Sequence, residues 1–154
     1  MSKRILLIGP NHAGKAFLAH YIEHGELGGR RKAHITFGQD TICVPGTYLE
    51  SPGMHKHIIA MKQKADIVLM LHKRQKVKEA YPPNFEKVFN QPVIQVLTDS
   101  SDIEDDLSQE GRQQLLLAAG LTTNDCYLNL NQEVDFKRLI TRVQQERRVK
   151  NGNV

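Results

Sequence analysis

The chain of 154 residues has no tryptophan, only two cysteines and no long apolar run. Cys43 and Cys126 lie far apart, each in an apolar stretch, which is typical of buried thiols in a reducing compartment rather than of a disulfide framework. The apolar run at 5–8 ends at Gly9-Pro10, far short of the ~20 residues of a membrane-spanning helix and too short for a secretory signal. We therefore expect a cytoplasmic protein without membrane contact.

Aromatic residues make up 6% of the chain, and none stands within its basic clusters at 30–32, 73–78 and 147–150. The 21 basic and 17 acidic residues give a net charge of +4, which would permit binding to nucleic acid. Single-strand binding needs aromatic platforms beside the basic residues, and neither these nor a zinc-finger spacing is present. We expect a solvated basic surface that serves solubility or an acidic protein partner, and no nucleic-acid partner.

The length fits one domain, which can bury roughly 70% of the surface of its unfolded chain. We expect this domain to span residues 1–150 and the tail at 151–154 to fray. Short apolar runs alternate with longer amphipathic segments, a pattern typical of strands joined by crossover helices. The predicted strands are residues 4–8, 34–37, 41–44, 66–71, 93–98 and 126–130. The predicted helices are residues 15–23, residues 55–64, a segment that begins at the prolines 82–83 and ends before Pro92, a segment that runs to Ala119 and is capped by the acidic cluster at 99–106, and residues 135–148.

The strands at 34–37 and 41–44 are close enough in sequence to form an antiparallel hairpin. A helix separates the two strands of each remaining consecutive pair. This arrangement predicts an α/β fold, with a mostly parallel six-stranded sheet, one antiparallel strand and about five helices on both faces. Ligands of such sheets bind at the carboxyl ends of the strands, which here follow residues 8, 44, 71 and 98.

The first predicted strand is followed by a phosphate-binding motif. Residues 9–16, Gly-Pro-Asn-His-Ala-Gly-Lys-Ala, match G-x-x-x-x-G-K between a strand and a helix. Glycines let successive backbone N–H groups surround an anion, the helix dipole adds positive potential, and Lys15 reaches the β- and γ-phosphates. The alternative is a glycine turn with a chance lysine. The candidate ligand-binding residues are Gly9, Asn11, His12, Ala13, Gly14, Lys15 and Ala16.

The groups that hold magnesium in such sites are missing. The eighth position of the loop, where Ser or Thr places a hydroxyl on Mg²⁺, is Ala16. GTPases carry Asp-x-x-Gly after the third strand, whereas this chain has Cys-Val-Pro-Gly at 43–46. The guanine-reading position has Thr-Asp-Ser-Ser at 98–101, and Asp102 fits only after a shift of one residue. We expect weak ATP or GTP binding at most, no magnesium site and no catalytic residue, with free phosphate or sulfate as further candidate ligands.

Other polar residues support weaker hypotheses. His20 and His24 lie one helical turn apart and could hold a metal ion, but the intervening glutamate is not placed as in H-E-x-x-H, so we expect surface histidines. A protonated His12 could touch a phosphate. Tyr48 and Glu50 are expected to fix the loop that contains them rather than to carry out chemistry.

The chain resembles the EutP/PduV family, small Ras-like P-loop proteins of ethanolamine- and propanediol-utilisation systems and their bacterial microcompartments. The matching stretches are residues 5–15, 44–52, 65–68, 82–94 and 118–120. The Pro-Gly-Thr-Tyr-Leu-Glu and Pro-Pro segments are more specific than the phosphate loop alone. The family pattern has Thr or Ser at position 16, Asp at 43, Glu at 47 and Lys at 99. This chain departs from that pattern at the nucleotide site, with Ala16, Cys43, Thr47 and Asp99.

The resemblance implies a Ras-like P-loop NTPase fold, with residues 1–150 forming one GTPase-like domain, and a cytoplasmic protein associated with microcompartments. It also implies an accessory or regulatory role in ethanolamine or propanediol utilisation, exercised through a protein partner such as a shell protein or a pathway enzyme. Because the nucleotide motifs are degenerate, we expect hydrolysis to be weakened or lost, as in a pseudo-GTPase. The alternative is an active ATP- or GTP-binding phosphotransferase or NTPase that uses the loop at 9–15.

Overall fold

The computed structural model describes residues 3–74, 81–100 and 108–152. The strands are β1 (Arg4–Ile8), β2 (Thr36–Phe37), β3 (Thr41–Cys43), β4 (Ala65–Lys73), β5 (Val93–Asp99) and β6 (Cys126–Asn129). The helices are α1 (Lys15–His24), α2 (Gly46–Glu50), α3 (His55–Met61), α4 (Gln109–Ala118) and α5 (Glu133–Gly152). Short 3₁₀ turns lie at Pro52–Met54, Lys62–Lys64 and Phe85–Val88.

The six strands form one sheet in the order β2-β3-β1-β4-β5-β6. β2 and β3 pair antiparallel, and the other pairs are parallel. The predicted hairpin and the predicted mostly parallel six-stranded sheet are both confirmed, and the fold is an α/β fold of the Ras-like P-loop type. Because β1 lies between β3 and β4, the loop that follows Ile8 emerges at the middle of the carboxyl edge of the sheet.

Helices cover both faces of the sheet. Leu7 of β1 packs with Leu18 of α1 and Phe136 of α5 on one face. Its neighbour Leu6 packs with Ile58 of α3 on the other face, since successive side chains of a strand point in opposite directions. Strands buried on both faces explain why the runs at β1 and β4 are almost continuously apolar.

The prediction of a helix after the prolines at 82–83 is wrong. Asn84 has a left-handed backbone (φ 61°), and one 3₁₀ turn, Phe85–Val88, follows before Phe89 becomes extended. The rings of Phe85 and Phe89 are both buried, with centroids 5.8 Å apart. The spacing of these apolar residues therefore reflects burial against the sheet and not a helical period.

A short helix, α2, occupies residues that the sequence analysis assigned to a loop. The backbone of Pro45 is extended (φ −59°, ψ 146°), and the helix starts at the next residue, Gly46. The predicted number of about five helices therefore holds, although α2 takes the place of the helix predicted after residues 82–83.

α4 begins later than predicted, and its cap is a serine rather than the acidic cluster. The Oγ of Ser108 accepts a hydrogen bond from the backbone N–H of Gly111 at 3.0 Å, which is the usual role of an N-cap. Asp99, the first residue of the predicted acidic cap, belongs to β5. Residues 101–107 lie outside the described residues.

α5 extends to Gly152, past its predicted end at residue 148. Residues 75–80, which include part of one basic cluster, and the last two residues of the tail lie outside the described residues. None of the helices in the described ranges is both long enough and apolar enough to cross a membrane.

Candidate phosphate-binding site

The loop between β1 and α1 follows a path that requires glycine at both ends. Gly14 has φ 94°, in the left-handed region that favours glycine, and a Cβ there would lie 2.7 Å from the side chain of Leu130. A Cβ on Gly9 would lie 3.0 Å from the backbone oxygen of Leu71. The loop thus has the strand–loop–helix setting and the two close approaches that a phosphate-binding loop needs.

The start of α1 presents backbone donors. The first N–H groups of a helix have no acceptor within it. In the described ranges, the backbone N–H groups of Gly14, Lys15 and Ala16 make no hydrogen bond to another residue, whereas that of Ala13 bonds to the backbone oxygen of Pro10 at 3.3 Å. Unpaired donors at the positive end of a helix are a suitable site for an anion.

Lys15 is buried inside the loop, with 7% of its surface exposed. Its Nζ donates hydrogen bonds to the backbone oxygens of Gly9 (2.8 Å) and Pro10 (2.7 Å). Burial lowers the pKa of Lys15 to about 8, while nearby acidic groups oppose this shift and Arg31 adds to it. The ammonium group is therefore charged at neutral pH and loses its charge in mildly alkaline solution.

Sulfate binding should weaken as the pH rises through about 8, the pKa of Lys15. The protonated lysine attracts the anion and the neutral lysine does not, so the association constant should fall by up to ~10-fold per pH unit above that pKa. Sulfate keeps its charge over this range, so calorimetric titration with sodium sulfate from neutral to alkaline pH measures the effect. Lys15→Met should bind weakly at every pH, and Lys32→Met should keep the wild-type profile. A wild-type affinity that does not change with pH would contradict this prediction.

A cleft of about 800 Å³ opens between the loop, α1 and the segment 29–46. Among the described residues that line the cleft, Glu23 supplies the one carboxylate. This group accepts hydrogen bonds from the backbone at 39–40 and from Oγ1 of Thr41. The cleft is therefore positively charged and attracts anions. The basic side chains that line it are Lys15, Arg30, Arg31 and Lys32.

The donor groups of the cleft do not fit magnesium. Mg²⁺ prefers oxygen ligands, but Ala16 offers a methyl group and Cys43 a thiol, and burial raises the pKa of that thiol so that it stays protonated. The oxygens of Glu23 are engaged by the chain. Across the described part of the chain, no three His, Cys, Asp or Glu side chains come together in a way that could hold a metal ion.

α2 packs directly on the phosphate loop. A Cβ on Gly46, the first residue of α2, would overlap the backbone nitrogen of Asn11 and lie 2.6 Å from the carbonyl carbon of Pro10. Nδ2 of Asn11 donates to the carboxylate of Glu50, with nitrogen–oxygen distances of 3.3 and 3.5 Å. Glu50 thereby holds the phosphate loop, whereas the sequence led us to expect it to fix the loop that contains it.

Histidines complete the wall of the cleft. His12 has a left-handed backbone (φ 66°), and its Nε2 lies 3.3 Å from a terminal nitrogen of Arg31. The rings of His20 and His24 lie with their centroids 4.6 Å apart. The sequence predicts surface histidines at these two positions, and both lie in the wall of the cleft.

Comparisons with known proteins match most of the chain. A family model, PduV–EutP, described as ethanolamine utilisation and propanediol utilisation, matches residues 2–145. The chain is also 29% identical over 127 residues to the propanediol utilization protein PduV of Citrobacter freundii, covering 77% of this chain and 85% of that protein. This chain belongs to the PduV–EutP family. The resemblance inferred from the sequence is confirmed, and membership supports a small P-loop, GTPase-like protein linked to propanediol and ethanolamine utilisation.

Three departures from the PduV–EutP pattern surround the phosphate loop. Ala16 and Cys43 line the cleft, and Thr47 is exposed on α2, directly after Gly46. The fourth departure, Asp99, ends β5. Three of the four positions therefore lie around the phosphate loop, and the fourth lies at the end of β5.

Asp99 has a structural role in this PduV–EutP protein that the sequence did not indicate. The carboxylate is buried, and its Oδ2 accepts hydrogen bonds from Arg74 and from the hydroxyl of Tyr127, each at 2.9 Å. Burial would raise the pKa of Asp99, but these two partners outweigh it and hold the pKa below its usual value. Asp99 therefore joins β5 to β6 and to the segment after β4, and it is not free to read a base. Asp102, which fits the guanine-reading position only after a shift of one residue, lies outside the described residues.

Proposed function

We propose that this PduV–EutP protein is an accessory or regulatory protein of ethanolamine or propanediol utilisation that holds a phosphate-bearing ligand without hydrolysing it. The observation that supports the proposal is a complete phosphate loop beside an incomplete metal site. Lys15 and the first N–H groups of α1 remain, while Ala16 and Cys43 stand where magnesium-holding groups are needed. ATP or GTP would bind weakly, and free phosphate or sulfate would use the same donors.

The chemistry of phosphoryl transfer explains why the loss matters. Catalysis of this reaction depends on positioning and on neutralising the charge of the transferred group. Magnesium is a principal source of that neutralisation. Without a hydroxyl at position 16 and a carboxylate at position 43, the ion would lack both a direct ligand and a partner for its waters. These substitutions support a pseudo-GTPase in which hydrolysis is weakened or lost.

We further propose that the protein acts by contact with another protein in the cytoplasm, a microcompartment shell protein or a pathway enzyme. The family match supports the pathway, and the named relative is itself a propanediol utilization protein. The rival function is an ATP- or GTP-dependent phosphotransferase or NTPase that uses the same loop. That function would require another way to hold magnesium.

Deleting the gene in its host should slow growth on ethanolamine or on propanediol and leave growth on glucose unchanged, because the proposed role is confined to that metabolism. Growth rates of the deletion strain on the three carbon sources measure this. Complementation with the wild-type gene should restore growth, and complementation with Lys15→Met should not, if phosphate binding is required for the role. Equal growth of the deletion and parent strains on all three sources would contradict the assigned pathway.

A further inference from the structure

The segment after α1 is fixed against the first turn of that helix. Gly29 has φ 118°, and a Cβ there would lie 2.7 Å from the backbone oxygen of Ala16 and 3.0 Å from Cβ of His20. Glycine alone allows this approach with this backbone conformation. The contact places the basic residues Arg30 and Arg31 beside position 16, where a P-loop protein has its metal-binding hydroxyl.

Arg31 is the residue of this segment that reaches the phosphate loop. Its terminal nitrogen lies 3.3 Å from Nε2 of His12, inside the loop. The charge of Arg31 is also close enough to Lys15 to contribute to the lowering of that pKa. Both cations line the cleft, so they face the same space.

No carboxylate neutralises Arg31 within the described ranges, where the arginine salt bridges are those of Arg74, Arg112, Arg138, Arg142 and Arg147. The carboxylate of Glu23, on the wall of the same cleft, is engaged by the backbone at 39–40 and by Thr41. Lys15 and Arg31 repel each other, and Glu50, the nearby carboxylate that favours the charged form of Lys15, does not line the cleft. An anion between Arg31 and Lys15 would remove that repulsion.

We propose that Arg31 takes the place of magnesium, so that the site binds a di- or triphosphate chain as the free anion rather than as its magnesium complex. This inference rests on the proposed phosphate binding at the loop. A guanidinium offers a planar fork of N–H donors that matches two phosphate oxygens, and it needs neither a hydroxyl at position 16 nor a carboxylate at position 43. Magnesium would compete with Arg31 for the same oxygens and weaken binding.

Calorimetric titration of the full chain with sodium tripolyphosphate tests this, once in EDTA and once in excess magnesium chloride at equal ionic strength. The wild type should bind more tightly in EDTA. Arg31→Gln should weaken the binding in EDTA by ~10-fold or more, as expected for the loss of a charge-assisted hydrogen bond. Arg148→Gln removes the same charge from an exposed arginine that does not line the cleft and should stay within ~3-fold of the wild type, because salt screens charges over longer distances.

The outcomes separate this inference from the proposed function. Tighter binding in magnesium would overturn the role of Arg31 and leave phosphate binding at the loop intact. Equal losses in the two arginine variants would also overturn it, because the effect would then come from total charge. If the wild type bound no tripolyphosphate in either condition, the proposed phosphate binding would fail together with the inference.

Gly29→Ala tests the placement of Arg31 without removing its charge. The added methyl group would meet the backbone oxygen of Ala16 and should displace the segment, with a loss of tripolyphosphate affinity close to that of Arg31→Gln. Gly25 also has a left-handed backbone (φ 73°), but nothing lies within 4 Å of its Cβ position. Gly25→Ala therefore introduces a similar backbone strain without the displacement and should bind like the wild type. Wild-type affinity in Gly29→Ala would contradict the proposed placement.

Discussion

Replacing Asp99 by lysine, the residue that the family resemblance implies there, should lower the free energy of unfolding by about 3 kcal/mol. The carboxylate is buried and accepts hydrogen bonds from Arg74 and Tyr127. A lysine would remove this acceptor and place an ammonium group next to the guanidinium of Arg74. Solvent screens part of that repulsion, because the side chain of Arg74 is 43% exposed. The loss of unfolding free energy should therefore lie at the lower end of the range for breaking a buried ion pair.

Urea unfolding at neutral pH measures the effect of Asp99→Lys. Asp99→Asn keeps the size of the side chain and removes its charge, so this variant should lose less unfolding free energy than Asp99→Lys. Asp40→Lys makes the same change of charge at an exposed position and should stay within ~0.5 kcal/mol of the wild type. If Asp99→Lys were as stable as Asp40→Lys, the structural role assigned to Asp99 would be wrong.

The double variant Ala16→Thr, Cys43→Asp should gain magnesium-dependent nucleotide binding. The new hydroxyl stands at the start of α1, and the new carboxylate stands at the end of β3, close enough to Lys15 to interact with its charge. We expect this variant to bind GTP or ATP ~10-fold or more tightly with magnesium than with EDTA, the size of effect that groups around a metal have on its affinity. Calorimetric titration in the two conditions measures the gain, and the wild type should show none.

The matched control for this gain is Ala16→Thr, Cys43→Asn, which has nearly the same shape without the negative charge. It should bind nucleotide far more weakly in magnesium than the aspartate variant does. A gain of equal size in the asparagine variant would mean that the carboxylate is not what magnesium requires. No gain in either variant would mean that residues other than Ala16 and Cys43 limit nucleotide binding.

The sheet could be predicted from the sequence because its signals are local. The apolar run at 66–71 lies within β4, and the Gly-rich motif at 9–15 lies where β1 meets α1. Both patterns depend on residues that are neighbours in the chain. The segment after Pro82 shows the limit of such patterns, since Phe85 and Phe89 have helical spacing but pack their rings against the sheet from a single turn.

The electrostatics of the site could not be predicted in the same way, because they depend on contacts between distant segments. The cluster at 30–32 had the composition of a solvated basic surface, yet Gly29 packs against Ala16 and brings Arg31 to His12. Asp99 meets Arg74 and Tyr127 only when β4, β5 and β6 are assembled. The one available signal was the pair of glycines at 28–29 directly before three basic residues, which marks a place where the backbone can approach a neighbour closely.

We propose that this protein still binds anions at its phosphate loop and has lost magnesium-dependent hydrolysis. The most direct test of this proposal mixes the purified wild-type chain with GTP, and separately with ATP, in magnesium and in EDTA. The heat of binding and the release of phosphate are recorded from the same samples. We expect weak binding that magnesium does not strengthen, with no phosphate released above the protein-free rate. Tight binding that requires magnesium, accompanied by phosphate release that Lys15→Met abolishes, would contradict it and establish an active NTPase.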